Sequence, residues 1–279
     1  MLSYLHGYHA GNHADVLKHT ILTALLARLA KKDKSLRYID THAGAGAYDL
    51  STPAALKNRE HDSGIARIWS AAEAPGAVER LLGLVRSYNG DGVLHDYPGS
   101  PWLASRFLGA GDDAYLFELH ATEHRSLARL FGRDARTKVI AEDGLGGCIG
   151  LVPPPQKRAL LLIDPAYELA DEHRRVLAAV ESTQRRFATG VTAIWYPLID
   201  PRWVSRFERA LRASTEAPIA TYELQVSPQK PARGLIGSGM FVVNPPWLLE
   251  EELREALPWL ASRLGAHGCG AFRLVSPET

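Results

Sequence analysis

Four carboxylates stand where apolar runs end: Asp40 in YID, Glu118 in YLFE, Asp143 in VIAED and Asp164 in LLLID. An ionised carboxylate only accepts hydrogen bonds, at up to about four lone-pair positions. Just past a strand it has three uses: to accept from ribose hydroxyls, to accept from the amino group of a purine, or to cap the next helix. A single acid of this kind says little. Four in succession favour a nucleoside-bearing ligand lying across the carboxyl edge of a sheet, where doubly wound folds bind theirs.

The first of these acids opens a glycine turn. The segment THAGAG puts Gly44 and Gly46 just after Asp40. Glycines there let backbone N–H groups approach a ligand with no Cβ between them. The NAD fingerprint needs a third glycine where this chain has Asp49, so a nicotinamide dinucleotide is not expected. Glu118 is the candidate acceptor for ribose hydroxyls, an acid that usually follows the turn by ~20 residues. Here about 70 residues intervene, so an insertion must lie between. Glu60 is nearer, but no strand precedes it. Asp143 is placed for the amino group of an adenine ring.

The elements that must carry these residues can be read from the hydrophobic pattern. Eight runs read as strands: Leu36–Asp40, Ala114–Leu119, Thr137–Ala141, Ala159–Asp164, Val191–Tyr196, Ile219–Val226, Met240–Asn244 and Gly270–Val275. Helical patterns separate most of them, as in βαβ units around a mainly parallel sheet. LLLID is apolar almost throughout, as a central strand covered on both faces should be. The later strands alternate more and lie closer together, so antiparallel pairing is expected at the C-terminal edge. Ahead of the first strand, Ala14–Ala30 reads as a helix. Leu17, Ile21, Leu25 and Leu29 give it a buried stripe, and Asn12 with Asp15 makes a short capping box. Lys18 and His19 then fall in its opening turns rather than deep in its packed length. Residues 47–97 break the rhythm, with helix-like pieces at Gly64–Ala72 and Ala77–Tyr88. They read as an inserted helical subdomain in a main domain of residues 1–46 and 98–279.

Composition narrows the class. The 279 residues are 46% hydrophobic and 23% charged, close to the globular average, which excludes disorder as the main state. No apolar run reaches the ~20 residues of a membrane-spanning helix, and the N-terminus lacks the basic start and apolar core of a secretory signal. Two cysteines, Cys148 and Cys269, suit a reducing compartment, so the expectation is a cytoplasmic protein. The net charge of +1 neither demands nor excludes a nucleic-acid partner. Basic residues do gather locally, at Lys31, Lys32 and Lys34, at Arg125, Arg129, Arg133 and Arg136, and at Arg202, Arg206, Arg209 and Arg212. The two arginine sets recur at helical spacing, and solvated helix faces are their plainest reading.

As a whole the chain resembles a class I S-adenosylmethionine-dependent methyltransferase, and more narrowly the RlmJ family, the adenine-N6 methyltransferases of 23S ribosomal RNA. The resemblance spans essentially the whole sequence. It is most specific at HAGNHADVLKH, YIDTHAGAG, Tyr97-Pro98-Gly99-Ser100-Pro101, FATG at 187–190 and the GM-x-V-x-NPPW segment near 239–247. It implies a Rossmann-like α/β fold and S-adenosyl-L-methionine as cofactor. His19, His42, Ser100, Glu118, Asp143 and Gly144 would contact that cofactor, with Lys18 and Asp164 beside it and Gly44 in the turn against it. Asp164 would be the catalytic acid of a D-P-P-Y motif, together with Pro165 and Tyr167. Tyr4 would meet the RNA, and His6 belongs to the same N-terminal substrate surface. The implied partner is 23S ribosomal RNA free of protein, with no membrane or protein partner.

The chemistry suits these residues. The exocyclic amine of adenine is a poor nucleophile because its lone pair is delocalised into the ring. Two acceptors, the Asp164 carboxylate and the Pro165 carbonyl, could hold its N–H groups and draw the nitrogen toward tetrahedral geometry. Tyr167 could stack on the base, which must leave its helix or loop to reach the pocket. One position departs from the family pattern: Ala166 stands where the second proline belongs, which removes a fixed φ and adds an N–H. Retained activity with a looser loop is the expectation. Asn244-Pro245-Pro246-Trp247 is a rival amine site, but it follows a late strand, which favours Asp164. Trp195, Tyr196 and Pro197 are candidates for the base pocket, with core packing equally open to Trp195. Histidines 6, 9, 13 and 19 lack the spacing and the carboxylate or thiolate company of a zinc site, so no metal is expected. DNA adenine-N6 methylation is the alternative enzyme reading, although no major-groove module is evident. A catalytically silent RNA-binding protein is the other, with Ala166 as its only support.

Overall fold

The computed structural model describes residues 5–227 and 235–277. Its first half runs α1 (His13–Ala30), β1 (Arg37–Asp40), β2 (Ala47–Asp49), α2 (Pro53–Asn58), α3 (Ile65–Ile68), α4 (Gly76–Asn89), β3 (Asp96–Pro98), α5 (Ser100–Ser105), β4 (Asp113–Phe117) and α6 (Ala121–Phe131). The second half runs β5 (Thr137–Ile140), α7 (Gly144–Gly147), β6 (Ala159–Ile163), α8 (Glu172–Arg186), β7 (Val191–Leu198), α9 (Pro201–Ala213), β8 (Ile219–Gln225), β9 (Gly237–Val243), α10 (Leu249–Leu264) and β10 (Ala271–Val275).

Eight of the strands form one sheet in the order β5-β4-β1-β6-β7-β9-β8-β10. The pairings from β5 through β7 are parallel. Those of β9 with β7 and β8, and of β8 with β10, are antiparallel. This is the mainly parallel α/β sheet with an antiparallel C-terminal edge that the sequence predicts. Alternate residues of β6 explain its continuous apolar run. Leu160 and Leu162 enter the core beneath α1, α4 and α10, while Leu161 and Ile163 enter the core beneath α8 and α9.

Register sets the site. Asp40 lies level with Leu116 on one side and Leu162 on the other. Two residues further on, His42, Glu118 and Asp164 therefore leave the sheet at a common height, on the edge where successive strands diverge.

Helix α1 differs from its expected form. Ala14 through Leu26 are all buried, so the helix is enclosed rather than striped, and Leu29 is only partly covered. Lys18 and His19, expected near an open end, are 4% and 1% exposed. They tolerate this because each has a polar partner aimed at it, described below. The cap is as expected: Asn12 accepts from the Asp15 amide at 2.9 Å, and the Asp15 carboxylate reaches back to the Gly11 amide at 2.9 Å.

Residues 47–98 hold the antiparallel β2–β3 pair with α2, α3 and α4 between them. Of the expected helix at Gly64–Ala72 only Ile65–Ile68 forms. The Arg86 guanidinium takes the Trp69 carbonyl at 2.9 Å, and Pro75 disfavours helix at the residue before it. Ile65, Ile68, Val78, Leu81 and Leu82 pack into the same core as α1 and α10.

The two arginine sets part company. Helix α6 ends at Phe131, before Arg133 and Arg136, so only Arg125 and Arg129 lie on it. All four arginines of the other set lie on α9.

Candidate active site

A cavity of about 1000 Å³ opens at the carboxyl edge of the parallel strands, around β1 and β6, where the chain switches from one side of the sheet to the other. Its wall takes Lys18 and His19 from α1, His42 and Gly44 from the turn after β1, and Ser100 from α5. Glu118 follows β4, Asp143 and Gly144 open α7, and Asp164, Pro165 and Tyr167 follow β6. His6 completes this set, while Tyr4 lies outside the described residues. Residues from seven separate stretches of sequence thus meet at one edge of the sheet.

The floor is an ion chain. Lys18 Nζ donates to Asp15 Oδ1 at 2.7 Å and to Asp164 Oδ2 at 2.5 Å. Asp15 Oδ2 faces His6 Nε2 at 2.9 Å. Burial opposes the charge on Lys18, and the two carboxylates together override it, holding its pKa above the ordinary value. Burial likewise opposes ionisation of Asp15, but His6 and Lys18 hold its pKa well below the usual range. Burial outweighs the pull of Lys18, with a smaller one from His6, and Asp164 is pushed up to about 6. At neutral pH it is therefore still a carboxylate. Its Oδ1 makes no hydrogen bond to the described residues and is available as an acceptor.

The loop after Asp164 is fixed at Tyr167, whose φ of 54° is left-handed and costs roughly 1–2 kcal/mol for a residue with a Cβ. Its hydroxyl donates to the Trp195 carbonyl at 2.9 Å, and its ring meets Trp203 edge-on at 5.5 Å. Ala166, Trp195 and Pro197 also line the cavity, whereas Tyr196 is core, stacked on Phe241 at 4.1 Å.

The other acids divide. Asp40 does not line the cavity: it is fully buried and accepts from Tyr38 Oη at 2.8 Å, Ser100 Oγ at 2.7 Å and the His42 amide at 3.2 Å. It braces the turn instead. Glu118 accepts from the Gly44 amide at 2.9 Å and the His120 amide at 2.6 Å, and burial raises its pKa. These bonds leave lone pairs for hydroxyl donors. Asp143 caps α7 through the Leu145 amide at 3.3 Å and pairs with Arg175 at 2.7 Å. The turn needs its glycines: Gly44 has φ 61°, and a Cβ on it would lie 2.0 Å from Tyr48 Oη. A Cβ on Gly144 would lie 2.2 Å from the Thr41 carbonyl oxygen.

Two histidines are kept neutral. Burial lowers His42 to about 4 and pushes His19 well below its ordinary value. His19 Nδ1 bonds Tyr97 Oη at 2.8 Å, while its buried Nε2 has no partner among the described residues. The sequence reading missed Asp15, Arg175 and Tyr97 as parts of the site. Asp15 lies three residues before Lys18, on the same helical face, and that spacing was the available signal. Glu60, set aside on sequence, lines the cavity and holds His9 at 2.8 Å and Asn12 at 2.9 Å.

The rival amine site lies elsewhere. Val243 is level with Thr192 at the start of β7, so Asn244 sits at the amino edge of the parallel strands, opposite Asp164. Its amide donates to the carbonyls of Ala188 at 2.7 Å and Gly190 at 2.9 Å, and Trp247 is 84% exposed. FATG and NPPW thus form one structural clamp.

A family model described as "Ribosomal RNA large subunit methyltransferase D, RlmJ" matches residues 33–275. The chain belongs to the RlmJ family. A relative from Escherichia coli strain K12, "Ribosomal RNA large subunit methyltransferase J", is 42% identical over 97% of this chain and 96% of its own length. One from Haemophilus influenzae with the same name is 40% identical over the whole of both chains. A crystal structure of a Legionella pneumophila protein superposes with a TM-score of 0.90 at 34% identity, covering 97% of this chain and 99% of that one.

RlmJ-family membership makes the chain a methyltransferase that uses S-adenosylmethionine, and the cavity fits that cofactor. It offers an orphaned buried imidazole nitrogen, a glycine turn with close backbone approach, and acceptor carboxylates at two strand ends. Among the described residues no group of three His, Cys, Asp or Glu side chains is arranged to hold a metal ion, and no helix is long and apolar enough to cross a membrane.

Proposed function

We propose that the chain methylates the N6 amine of an adenine in protein-free 23S ribosomal RNA, in the cytoplasm. The observation that carries this reading is the Asp164 carboxylate, anchored through one oxygen by Lys18 and open through the other, beside Pro165 and Tyr167 on a cavity wall. Bound S-adenosylmethionine supplies an electrophilic methyl group on a sulfonium. The protein's share is to hold the nucleophile. Asp164 Oδ1 takes one N–H of the adenine amine and the Pro165 carbonyl takes the other, so the lone pair is freed from the ring and aimed. Lys18 keeps the carboxylate from rotating, and Asp15 keeps Lys18 in place. Tyr167, braced by Trp195 and Trp203, offers its ring to the extruded base. His19, His42, Ser100, Glu118, Asp143 and Gly144 hold the cofactor, with Gly44 in the turn against it. Tyr4 and His6 belong to the RNA side. In this reading residues 47–97 are a helical insertion that extends the substrate face. As the amine takes the methyl group it would give up one proton to solvent and leave the sulfonium a neutral thioether, so positioning and polarisation are the protein's contribution, as is usual where a cofactor carries the reactive group.

The test is tritiated methyl transfer to protein-free 23S ribosomal RNA, to duplex DNA and to assembled large subunits. Transfer to the free RNA, recovered as N6-methyladenosine, is expected. Preferential transfer to duplex DNA would replace the substrate, and no transfer despite cofactor binding would make the chain a silent member of its fold.

A further inference from the structure

A nearly neutral chain must find affinity for a polyanion from a local surface. Helix α9 starts where β7 leaves the sheet, on the cavity side: Pro197 and Ile199 line the cavity, and Asp200 caps the helix by accepting from the Arg202 amide at 2.9 Å. One face of α9 is core, with Val204, Phe207 and Leu211 buried. Between the faces, Trp203 meets the Tyr167 ring. The outer face carries Arg202, Arg206 and Arg209, all exposed and spaced i, i+4, i+7. No ion pair joins any of the three to an acid among the described residues. The nearby acids are taken: Glu208 by Arg212 and Arg273 at 3.0 Å each, and Glu223 by Arg273 at 3.0 Å.

Arg59, Arg185 and Arg254 each pair with an acid of their own or a neighbouring turn. Arg125, Arg129, Arg133, Arg174 and Arg263 are also exposed with no ion pair among the described residues, but α9 alone sets three such arginines along one face of a helix that starts at the cavity. Hydration alone does not call for a single sign of charge, and like charges at i, i+4 slightly destabilise a helix. The three guanidinium groups span about 10 Å of helix rise, and their planar forks match phosphate oxygens two at a time.

We propose that this face of α9 is a phosphate-binding track that leads the RNA strand to the cavity, which rests on the function proposed above. The strand's backbone runs along Arg209, Arg206 and Arg202, and its flipped base turns in past Trp203 to Tyr167.

The experiment compares wild type, R202A/R206A/R209A, the corresponding triple lysine variant, and R129A/R133A on the α6 side. Each is titrated with a fluorescent 23S ribosomal RNA fragment across a salt series. The triple alanine variant should bind RNA at least 10-fold more weakly, with a salt slope smaller by about 2, because roughly 0.7 counterions are released per phosphate contact on single strands. Lysines should restore most of the slope, and R129A/R133A should match wild type. Thermal midpoint and S-adenosylmethionine affinity should not move. Unchanged RNA affinity and slope in the triple alanine variant overturns the track and turns attention to an acidic protein as its occupant, as does equal weakening by R129A/R133A. A fragment that wild type binds but does not methylate refutes the proposed function, and the variants' affinities still decide the track. RNA that wild type does not bind at all refutes both.

Discussion

Lys18 reaches between two carboxylates that differ in company. Asp15 is shared with His6 and the Gly11 amide and stays ionised throughout the working range, whereas Lys18 is the one described residue that bonds Asp164 directly. The difference makes Asp164 the titrating member of the site, at about 6. Below that pH it carries a proton and loses acceptor capacity, so in the proposed mechanism the adenine amine would no longer be gripped from both sides. Methyl transfer at saturating substrates should therefore rise through about pH 6 and level off above about 7. A profile flat from pH 5 to 8 would separate the rate from this group. The stability sign is opposite. Between about pH 4 and 6 the folded state retains a proton that the unfolded chain has released, so this residue's contribution to stability falls as pH rises through that window. The meeting of Asp164, Glu118 and Asp143 at one cavity could be read from the sequence, because each stands at a strand end. The braces could not: Tyr97 is 78 residues from His19 and Arg175 is 32 from Asp143, and only folding brings them together.

At the scale of elements, the strand ends carry the site and the opposite ends carry the clamp. Asn244 has φ 53°, a left-handed conformation that asparagine tolerates and alanine resists. Asn244→Ala should lose about 2–3 kcal/mol of stability in a denaturant titration, from two hydrogen bonds and the strained backbone, while methyl transfer per folded molecule stays within a few-fold of wild type. Loss of activity without loss of stability would restore the late motif as a catalytic candidate. The first half of β9 also shows why local sequence can mislead. Gly237, Ser238 and Gly239 have little strand propensity, and the expected strand begins only at Met240. Two neighbouring strands supply the hydrogen bonds that override propensity, and a Cβ at 239 would lie 2.3 Å from the Tyr196 ring. β2 and β3 went unread because three residues are too few to show alternation.

At the scale of the molecule, one sheet separates two jobs. Its carboxyl edge gathers the polar residues around the cavity, and its two faces bury apolar cores that hold that edge rigid. The stretch 47–97 is stitched into this frame: it shares the core with α1, and Tyr97 from β3 bonds His19 at the cavity wall. The alternation of strands and helices made the α/β class readable, since the central parallel strands β1 and β6 are buried along their whole length, although the edge strand β5 is not. The enclosure of α1 was not, since its polar residues Asp15, Lys18 and His19 mimic a solvent face and are instead turned toward the cavity. The central claim is that this frame exists to hold one carboxylate against an adenine amine. Its most direct test is Asp164→Ala, assayed for tritiated methyl transfer to 23S ribosomal RNA alongside calorimetric binding of S-adenosylmethionine. Transfer should fall at least about 1000-fold, the loss expected when a transition-state acceptor is removed, with cofactor affinity within a few-fold of wild type. Transfer at a near wild-type rate from the folded variant would contradict it.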